Sequence, residues 1–422
     1  MDKTPWKWVP TTYFMEGLPF TMIVVVSTIM YKNFGLSNKQ ITFYTGWLFI
    51  PWIIKPLWAW FIDLLQSKRW WIYTMELLIA LGFVLVACSL YTKQFIFISL
   101  ITFWLCAFFS ASHDIATDGF YLLKLSDDKQ SFFVGMQSLF YQSAKFFASG
   151  MLVFTSGILL TKTANDVHLT WFCIMLVAAI VALCLGVYHY KILPADKVTT
   201  RLQLPELISQ IKQIFSAFFS INQIWIVILF VMSFRLGENM VLKIIPLFVL
   251  DSRANGGLGF SNAYIGISNI FILLAMVSAG VCGGLCINRF GLKKCLLPML
   301  FCVNLPHAIY IFLAIEKPTH QLYVMLLQII EYFATTFSLT AYTMTVFHLI
   351  RNSQYKTAHY AFITGIMVAS IMLPSMYSGQ LQQLLGYTRY FILVMFTLIP
   401  SICIVPFIKI SPDFAKKSTN HN

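Results

Sequence analysis

Apolar residues occur along this chain in long blocks separated by short polar connections, and not in the alternating pattern of half-buried strands. Each block has at least about 20 residues, enough for a helix to cross a hydrocarbon core about 30 Å thick. Because a backbone inside a bilayer must satisfy its own hydrogen bonds, the blocks are predicted to be helices. Twelve are predicted, at about 9–30, 38–64, 70–91, 95–123, 131–160, 169–190, 222–250, 260–287, 294–314, 319–350, 357–383 and 387–409.

The composition supports this pattern. Of 422 residues, 59% are hydrophobic and 11% are charged, whereas about a quarter of the residues of a soluble domain are charged. The chain is therefore predicted to be an all-α, multi-pass protein of a lipid bilayer. Its net charge of +13 is scattered over short connections and forms no basic block, so nucleic acid is not an expected partner. The nine cysteines show no disulfide or metal-ligand spacing, and neither a metal nor a cofactor is expected.

The distribution of basic residues predicts the orientation of the chain. If residue 1 is cytoplasmic, the inward connections hold 18 Lys and Arg and the outward connections hold seven. Cytoplasmic connections are the ones enriched in Lys and Arg, so both termini are expected in the cytoplasm. Residues 1–10 show no cleavage-site pattern, and the first helix is expected to act as its own insertion signal.

An internal repeat divides the chain. Residues 35–41 are similar to residues 259–265 at an offset of 224, and residues 63–69 are similar to residues 288–294 at an offset of 225. Both segments of the first match, 35–41 and 259–265, contain a Ser-Asn pair that predicts the N-cap of the next helix. We therefore expect an N-terminal six-helix half over 1–190, a cytoplasmic linker with a short amphipathic helix over 191–221, a second six-helix half over 222–410 and a cytoplasmic tail over 411–422.

This duplicated arrangement resembles the major facilitator superfamily, whose loop between the second and third helices carries an acidic residue followed by a basic pair. The resemblance implies a gating role for that loop in each half, at Asp63, Lys68, Arg69, Asn288, Lys293 and Lys294. The residues alone equally allow the basic pairs to be interfacial anchors.

Charged residues inside the predicted helices are the candidates for function, because burying a charge in a bilayer is costly. Asp114 and Asp118 lie one turn apart on the fourth helix, and Lys55 on the second is expected to pair with one of them or with Glu16. The candidates for binding a substrate are Tyr13, Glu16, Lys55, Gln137, Tyr141, Lys145, Arg235, Asn239, Lys243 and Glu331. For each of them, a hydrogen bond that only fixes helix packing is the alternative.

The residue types suggest distinct roles. Four internal cations suit an anionic or zwitterionic solute, and the donor fork of Arg235 suits a carboxylate or phosphate. Asp114, Asp118 and Glu238 are the candidates to carry a coupling proton. His113 also has a side chain that titrates near neutral pH, although a packed hydrogen-bonding histidine is the alternative.

Three motifs resemble the AmpG-type permeases, a branch of that superfamily related to the acetyl-CoA transporters. They are Glu16-Gly17-Leu18-Pro19, Lys55 with Trp58 and Asp63, and Ala111-Ser112-His113-Asp114-Ile115-x-x-Asp118, where His113 replaces the usual Gln. The resemblance implies a monomeric, proton-driven symporter of the bacterial inner membrane that moves muropeptides by alternating access. Peptides, carboxylate siderophores and acetyl-CoA are the other substrates considered, with import or export open.

Other functional classes rest on less. The spacing of Asp114 and Asp118 suits an intramembrane transferase that holds magnesium and a diphosphate, but the sequence offers no second acidic motif. A membrane acyltransferase using His113 has no companion motif. A channel or a sensor has the same composition and is separated from a transporter only by a flux measurement.

Overall fold

The computed structural model describes residues 4–196, 204–350, 356–411 and 415, and helices are the only regular secondary structure among them. The first six helices are α1 (Thr4–Thr21, Met22–Val26 and Ser27–Asn33), α2 (five pieces from Asn38–Gly46 to Ala59–Leu65), α3 (Lys68–Ser89), α4 (Phe95–Lys124), α5 (Asp127–Lys145, Phe146–Leu152 and Val153–Lys162) and α6 (Val167–Ile192). The linker helix Leu204–Phe219 follows them.

The later helices are α7 (Ile224–Phe234 and Leu236–Leu250), α8 (Asn262–Phe290), α9 (Leu292–Asn304 and Ala308–Glu316) and α10 (Gln321–Ile350). The stretch Lys356–Phe396 has a non-helical residue at Gly386, with φ of 72°. We number its parts before and after Gly386 as α11 and α12, and α12 continues as Leu398–Ile404.

Ten helical stretches of the described chain are long and apolar enough to cross a membrane. One of them, Phe362–Phe407, has 46 residues, more than twice the about 20 that a single crossing needs, and it contains both α11 and α12. That stretch therefore counts as two crossings, which raises the number to eleven. The twelfth crossing is α2, which is not among the ten because Pro51 and Pro56 divide it into short pieces, since proline cannot donate the helical hydrogen bond. The predicted twelve-helix fold is thereby confirmed.

Two of the predicted cations, Lys55 and Arg235, lie at breaks inside their helices. Lys55 begins a 3₁₀ turn, Lys55–Leu57, in the middle of α2. Arg235 separates the two pieces of α7, with φ of −104° and ψ of 12°. A helix that ends inside the membrane leaves carbonyl groups without helical partners, and these groups favour a nearby cation.

The described chain packs as two compact units. Unit 1 comprises Met1–Leu36, Tyr44–Gln203 and Ser261–Ile270, and unit 2 comprises Ser37–Phe43, Leu204–Phe260 and Phe271–Asn422. The first turns of α2 thus belong to unit 2 and those of α8 to unit 1. Both segments contain the repeated Ser-Asn pair.

The two repeated pairs are used alike within their units. Ser37 Oγ accepts a hydrogen bond from the backbone N–H of Gln40 at 3.3 Å, and Ser261 Oγ accepts one from the backbone N–H of Tyr264 at 3.4 Å. The serine of each pair therefore caps its helix, as expected. The asparagines instead bond to other helices.

In unit 1 the Asn262 amide donates to Asn33 Oδ1 at 2.6 Å and to Ser156 Oγ at 3.0 Å. In unit 2 the Asn38 amide donates to Gln382 Oε1 and to the Tyr387 hydroxyl, each at 2.8 Å. These hydrogen bonds, donated by the asparagine side chains, hold the first turns of α2 and α8 in the units in which they pack.

Candidate functional site

Unit 1 gathers the predicted polar residues of its helices around the second and third turns from the end of α4. Lys55 Nζ lies 3.9 Å from Asp114 Oδ2, so the expected pairing of Lys55 is present. The side chain of Asp114 is 9% exposed and that of Lys55 is 27% exposed. The Asp114 carboxylate is therefore largely shielded, and a shielded charge is costly unless an opposite charge compensates it.

Asp118 is the more open of the two acidic residues. It accepts a hydrogen bond from the Tyr13 hydroxyl at 3.0 Å, and the Gln137 amide donates to that hydroxyl at 2.7 Å. A chain of hydrogen bonds thus connects α5, α1 and α4. It holds the Asp118 carboxylate in one orientation.

Three further predicted residues complete what we call the acidic cluster, which consists of Tyr13, Glu16, Lys55, Asp114, Asp118, Gln137, Tyr141 and Lys145. Glu16 is half-buried on α1 and interacts electrostatically with Asp114, Asp118 and Lys55. The Lys145 ammonium lies 5.3 Å from the centre of the Tyr141 ring, a cation–π distance. With three carboxylates and two ammonium groups, the cluster can exchange a proton or receive a charged group of a solute.

His113 lies apart from this cluster although it is next to Asp114 in the chain. Its Nε2 is 2.9 Å from Glu76 Oε1, and Nδ1 of His189 is 2.8 Å from both oxygens of the same carboxylate. Nε2 of His189 is 2.8 Å from Thr11 Oγ1. We call these four residues the Glu76 network.

Glu76 and His189 were not among the predicted site residues. Both stand inside apolar blocks, at α3 and α6, and both are fully buried. A charged residue inside a predicted membrane helix was the available signal. Nothing in the sequence, however, indicated that these helices meet at His113.

In unit 2 the interrupted helix α7 presents Arg235 to its own next turn. Arg235 Nε and Nη2 donate to the two oxygens of Glu238 at 2.7 and 2.8 Å, a bidentate ion pair. The guanidinium carbon lies 5.9 Å from the centre of the Tyr342 ring. Asn239 Nδ2 donates to the Ser370 carbonyl at 2.9 Å, so this amide fixes α7 against α11.

The other predicted residues of unit 2 are deeply buried. Glu331 on α10 is 1% exposed and lies 3.0 Å from His307 Nδ1, and it also accepts a hydrogen bond from Tyr310 at 3.1 Å. Lys243 is 7% exposed on the second piece of α7. The structure thus places Glu331 in a bonded group of α9 and α10.

The predicted gating loops differ between the two copies. The backbone amides of Lys68 and Arg69 donate to the Asp196 carboxylate, at 2.8 Å and 3.3 Å for the shorter bonds, and the Arg69 guanidinium donates to the Tyr190 carbonyl at 2.6 Å. Asp196 therefore caps the positive end of α3. The side chain of Asp63 lies outside the described residues. In the second copy, the side chains of Asn288, Lys293 and Lys294 are exposed beside the turn at Gly291.

Comparison with known families settles the class of protein. The model of the Major Facilitator Superfamily matches residues 11–376. The chain belongs to this superfamily. Two proteins similar to it, from Rickettsia conorii and Rickettsia felis, both carry the name "Putative transporter AmpG 4". They are 24% and 23% identical to it over 409 residues, which is 93% of this chain and 94% of each relative.

Solved structures of the superfamily share the fold. A bacterial homolog of the human lysosomal transporter Spinster matches with a TM-score of 0.69 at 13% identity, covering 97% of this chain and 96% of that one. A D-xylose-proton symporter matches with a TM-score of 0.67 at 12% identity, covering 98% and 99%. At these identities the likeness concerns the fold alone. The chain is thus a multi-pass membrane protein of a transporter family.

Proposed function

We propose that this superfamily member is a proton-coupled symporter that moves a small anionic or zwitterionic organic solute, such as a muropeptide or a peptide, across a bacterial inner membrane by alternating access. A carboxylate siderophore or acetyl-CoA is the alternative substrate. The observation that carries the proposal is the acidic cluster. It holds Asp114 and Asp118 beside Lys55 on the motif that resembles the AmpG-type permeases.

The chemistry of the cluster supports coupling. Asp114 is paired with an ammonium group, whereas Asp118 is hydrogen-bonded by a phenol and is more open. When either carboxylate takes up a proton, its attraction to Lys55 weakens, so the ammonium is freed for an anionic group of the solute. Proton binding and solute binding are linked in this way.

The Asp114→Asn and Asp118→Asn variants test this role in proteoliposomes to which a panel of muropeptides, peptides, siderophores and acetyl-CoA is added from outside. We expect uptake against a gradient to require an inward proton gradient in the parent and to be lost in each variant. The matched control is Asp166→Asn, because Asp166 only caps α6 by accepting from the Leu169 amide and asparagine caps equally well. Accumulation of a solute at the parental level by both cluster variants would refute the coupling role.

A further inference from the structure

The Glu76 network has no part in the function proposed above, yet it is the most deeply buried group of titratable side chains in unit 1. Glu76, His113 and His189 are each 0% exposed, and they come from α3, α4 and α6. Thr11 adds α1 at one end of the network. Contacts of 2.8 to 2.9 Å link all four side chains in one series, Thr11, His189, Glu76 and His113. The Thr117 hydroxyl also lies 3.4 Å from His113 Nε2.

The Thr11 end of this series lies near the N-terminal end of α1. Thr11 is one turn from the exposed Lys7, a rise of about 6 Å along the helix. Thr11 Oγ1 is 3.1 Å from the Trp8 carbonyl and 2.8 Å from His189 Nε2. A hydroxyl has one proton and two lone pairs, so it can donate to Nε2 when that nitrogen is bare, or donate to the carbonyl and accept from Nε2 when it carries hydrogen.

The other end points toward the acidic cluster. Ser110 Oγ, His113 Nδ1 and Asp114 Oδ1 are buried polar atoms for which the described residues offer no hydrogen-bond partner. They stand at positions i, i+3 and i+4 of α4, which are neighbours on one helix surface. None of the three atoms is hydrogen-bonded to another in this structure, so a bridge from the imidazole to the carboxylate requires the Ser110 hydroxyl to rotate about its Cα–Cβ bond toward them.

Charge balance shows why a proton can move along this series. A buried carboxylate such as Glu76 requires a compensating positive charge, and its two contacting imidazoles can share one proton between them. Transfer of that proton from His189 to His113 displaces a positive charge toward Asp114 without changing the net charge of the network. The charged groups that face His113 from outside the network are Asp114 and Asp118, and Lys55 is paired with Asp114.

We propose that the Glu76 network and Ser110 form a proton relay between Asp114 and the surface at the N-terminal end of α1. The relay rests on the proposed role of Asp114 as a carrier of the coupling proton. It gives that proton a route separate from the path of the solute. Each step breaks one O–H or N–H bond and forms one on the next atom, and no oxidant or reductant is required.

The test measures how fast Asp114 gains or loses a proton in the purified full-length protein, with no substrate added. Infrared difference spectra after a rapid pH jump report the carboxylic acid band, and its loss in Asp114→Asn assigns it to Asp114. We expect Ser110→Ala and Glu76→Gln to slow this band at least about tenfold, since positioned proton-transfer groups contribute at least that much. The final amplitude should stay at the parental level in Ser110→Ala.

Ser110→Ala is the more informative variant because the Ser110 hydroxyl has no bond among the described residues whose loss would disturb the fold. Tyr31→Phe is the matched control: it removes a buried hydroxyl that bonds to Ser99 at 2.7 Å between the same helices α1 and α4, away from the network. Parental rates in both Ser110→Ala and Glu76→Gln, or equal slowing in Tyr31→Phe, would overturn the relay. Absence of any Asp114 band at every pH would instead overturn the coupling role itself.

Discussion

Arg235 is the side chain whose interpretation changes most once its neighbours are known. From its donor fork, Arg235 was predicted to bind a carboxylate or phosphate of the solute, and Glu238 was predicted separately to carry a coupling proton. The structure joins them in a bidentate ion pair across one turn of α7. An anionic solute that binds Arg235 must therefore compete with Glu238, and protonation of Glu238 would release the guanidinium for it.

The pair predicts a specific effect on stability. Arg235→Gln leaves the Glu238 carboxylate, which is 5% exposed in its side chain, without its cation and should destabilise the fold by about 3–5 kcal/mol. The double variant Arg235→Gln with Glu238→Gln removes both charges and should recover most of that loss. Thermal unfolding in detergent measures both. A single variant as stable as the parent would contradict a net stabilising contribution of the ion pair.

The polar residues of unit 1 show what sequence can and cannot tell at this scale. Lys55, Asp114 and Asp118 were identified because each is a costly charge in an apolar block, and their proximity was expected because a buried ammonium needs an anionic partner. His113 was identified because an imidazole titrates near neutral pH, and it was grouped with its chain neighbour Asp114. Its contact with Glu76 and His189 depends on how α4 is rotated against α3 and α6, and adjacent residues on a helix point about 100° apart.

At the scale of helices, glycines bring several pairs of helices into backbone contact, and two of these pairs show the effect clearly. A Cβ at Gly379 on α11 would overlap the Asn38 carbonyl and the Thr42 hydroxyl of α2, both in unit 2. A Cβ at Gly157 on α5 would overlap the backbone of Ala263 on α8, both in unit 1. Small residues allow such close approach between membrane helices.

Gly379→Ala should therefore destabilise the fold by about 1–3 kcal/mol, the usual cost of overpacking a well-packed contact. Gly280→Ala is the control, because a Cβ there meets no other atom within 4 Å and alanine should stabilise an open helical position by about 0.4–1 kcal/mol. Unfolding temperatures of the two variants should move in opposite directions. A drop for Gly280→Ala as large as for Gly379→Ala would contradict the contact.

Helix existence and helix irregularity differ in how far they could be predicted. All twelve crossings followed from the apolar blocks, because block length is set by bilayer thickness. The division of α2 was signalled by Pro51 and Pro56. The π-helical turns Met22–Val26 and Phe146–Leu152 and the break at Arg235 had no such signal, since they arise where helices adapt to their neighbours.

Across the whole molecule, the two halves of the repeat share their helix arrangement and helix caps, but they do not share the acidic residues of α4. Both copies cap a helix with the serine of a Ser-Asn pair and fasten that helix through the asparagine. The acidic motif of α4, in contrast, is not repeated in α10. At an offset of 225, the positions of His113, Asp114 and Asp118 correspond to Ser338, Leu339 and Thr343. The acidic motif therefore lies in unit 1, and in unit 2 the cation at a helix break, Arg235, is paired with Glu238.

The distribution of positive charge makes a prediction about orientation that any single connection can test. Lys93 lies between α3 and α4 and Lys293 lies at the start of α9; both side chains are exposed. In a variant lacking the nine native cysteines, Lys93→Cys and Lys293→Cys each introduce one accessible thiol. Because the 18 basic residues of the inward connections outnumber the seven of the outward ones, the positive-inside rule places position 93 outside and position 293 in the cytoplasm.

A membrane-impermeant maleimide added to intact spheroplasts should label position 93 at once and position 293 only after the membrane is permeabilised. Each variant serves as the control for the other, since both thiols are exposed and differ only in the side of the membrane predicted for them. Labelling of position 293 before position 93 would invert the orientation. It would also place the N-terminal end of α1, where the proposed relay ends, on the outer side, so that protons would reach Asp114 from outside the cell.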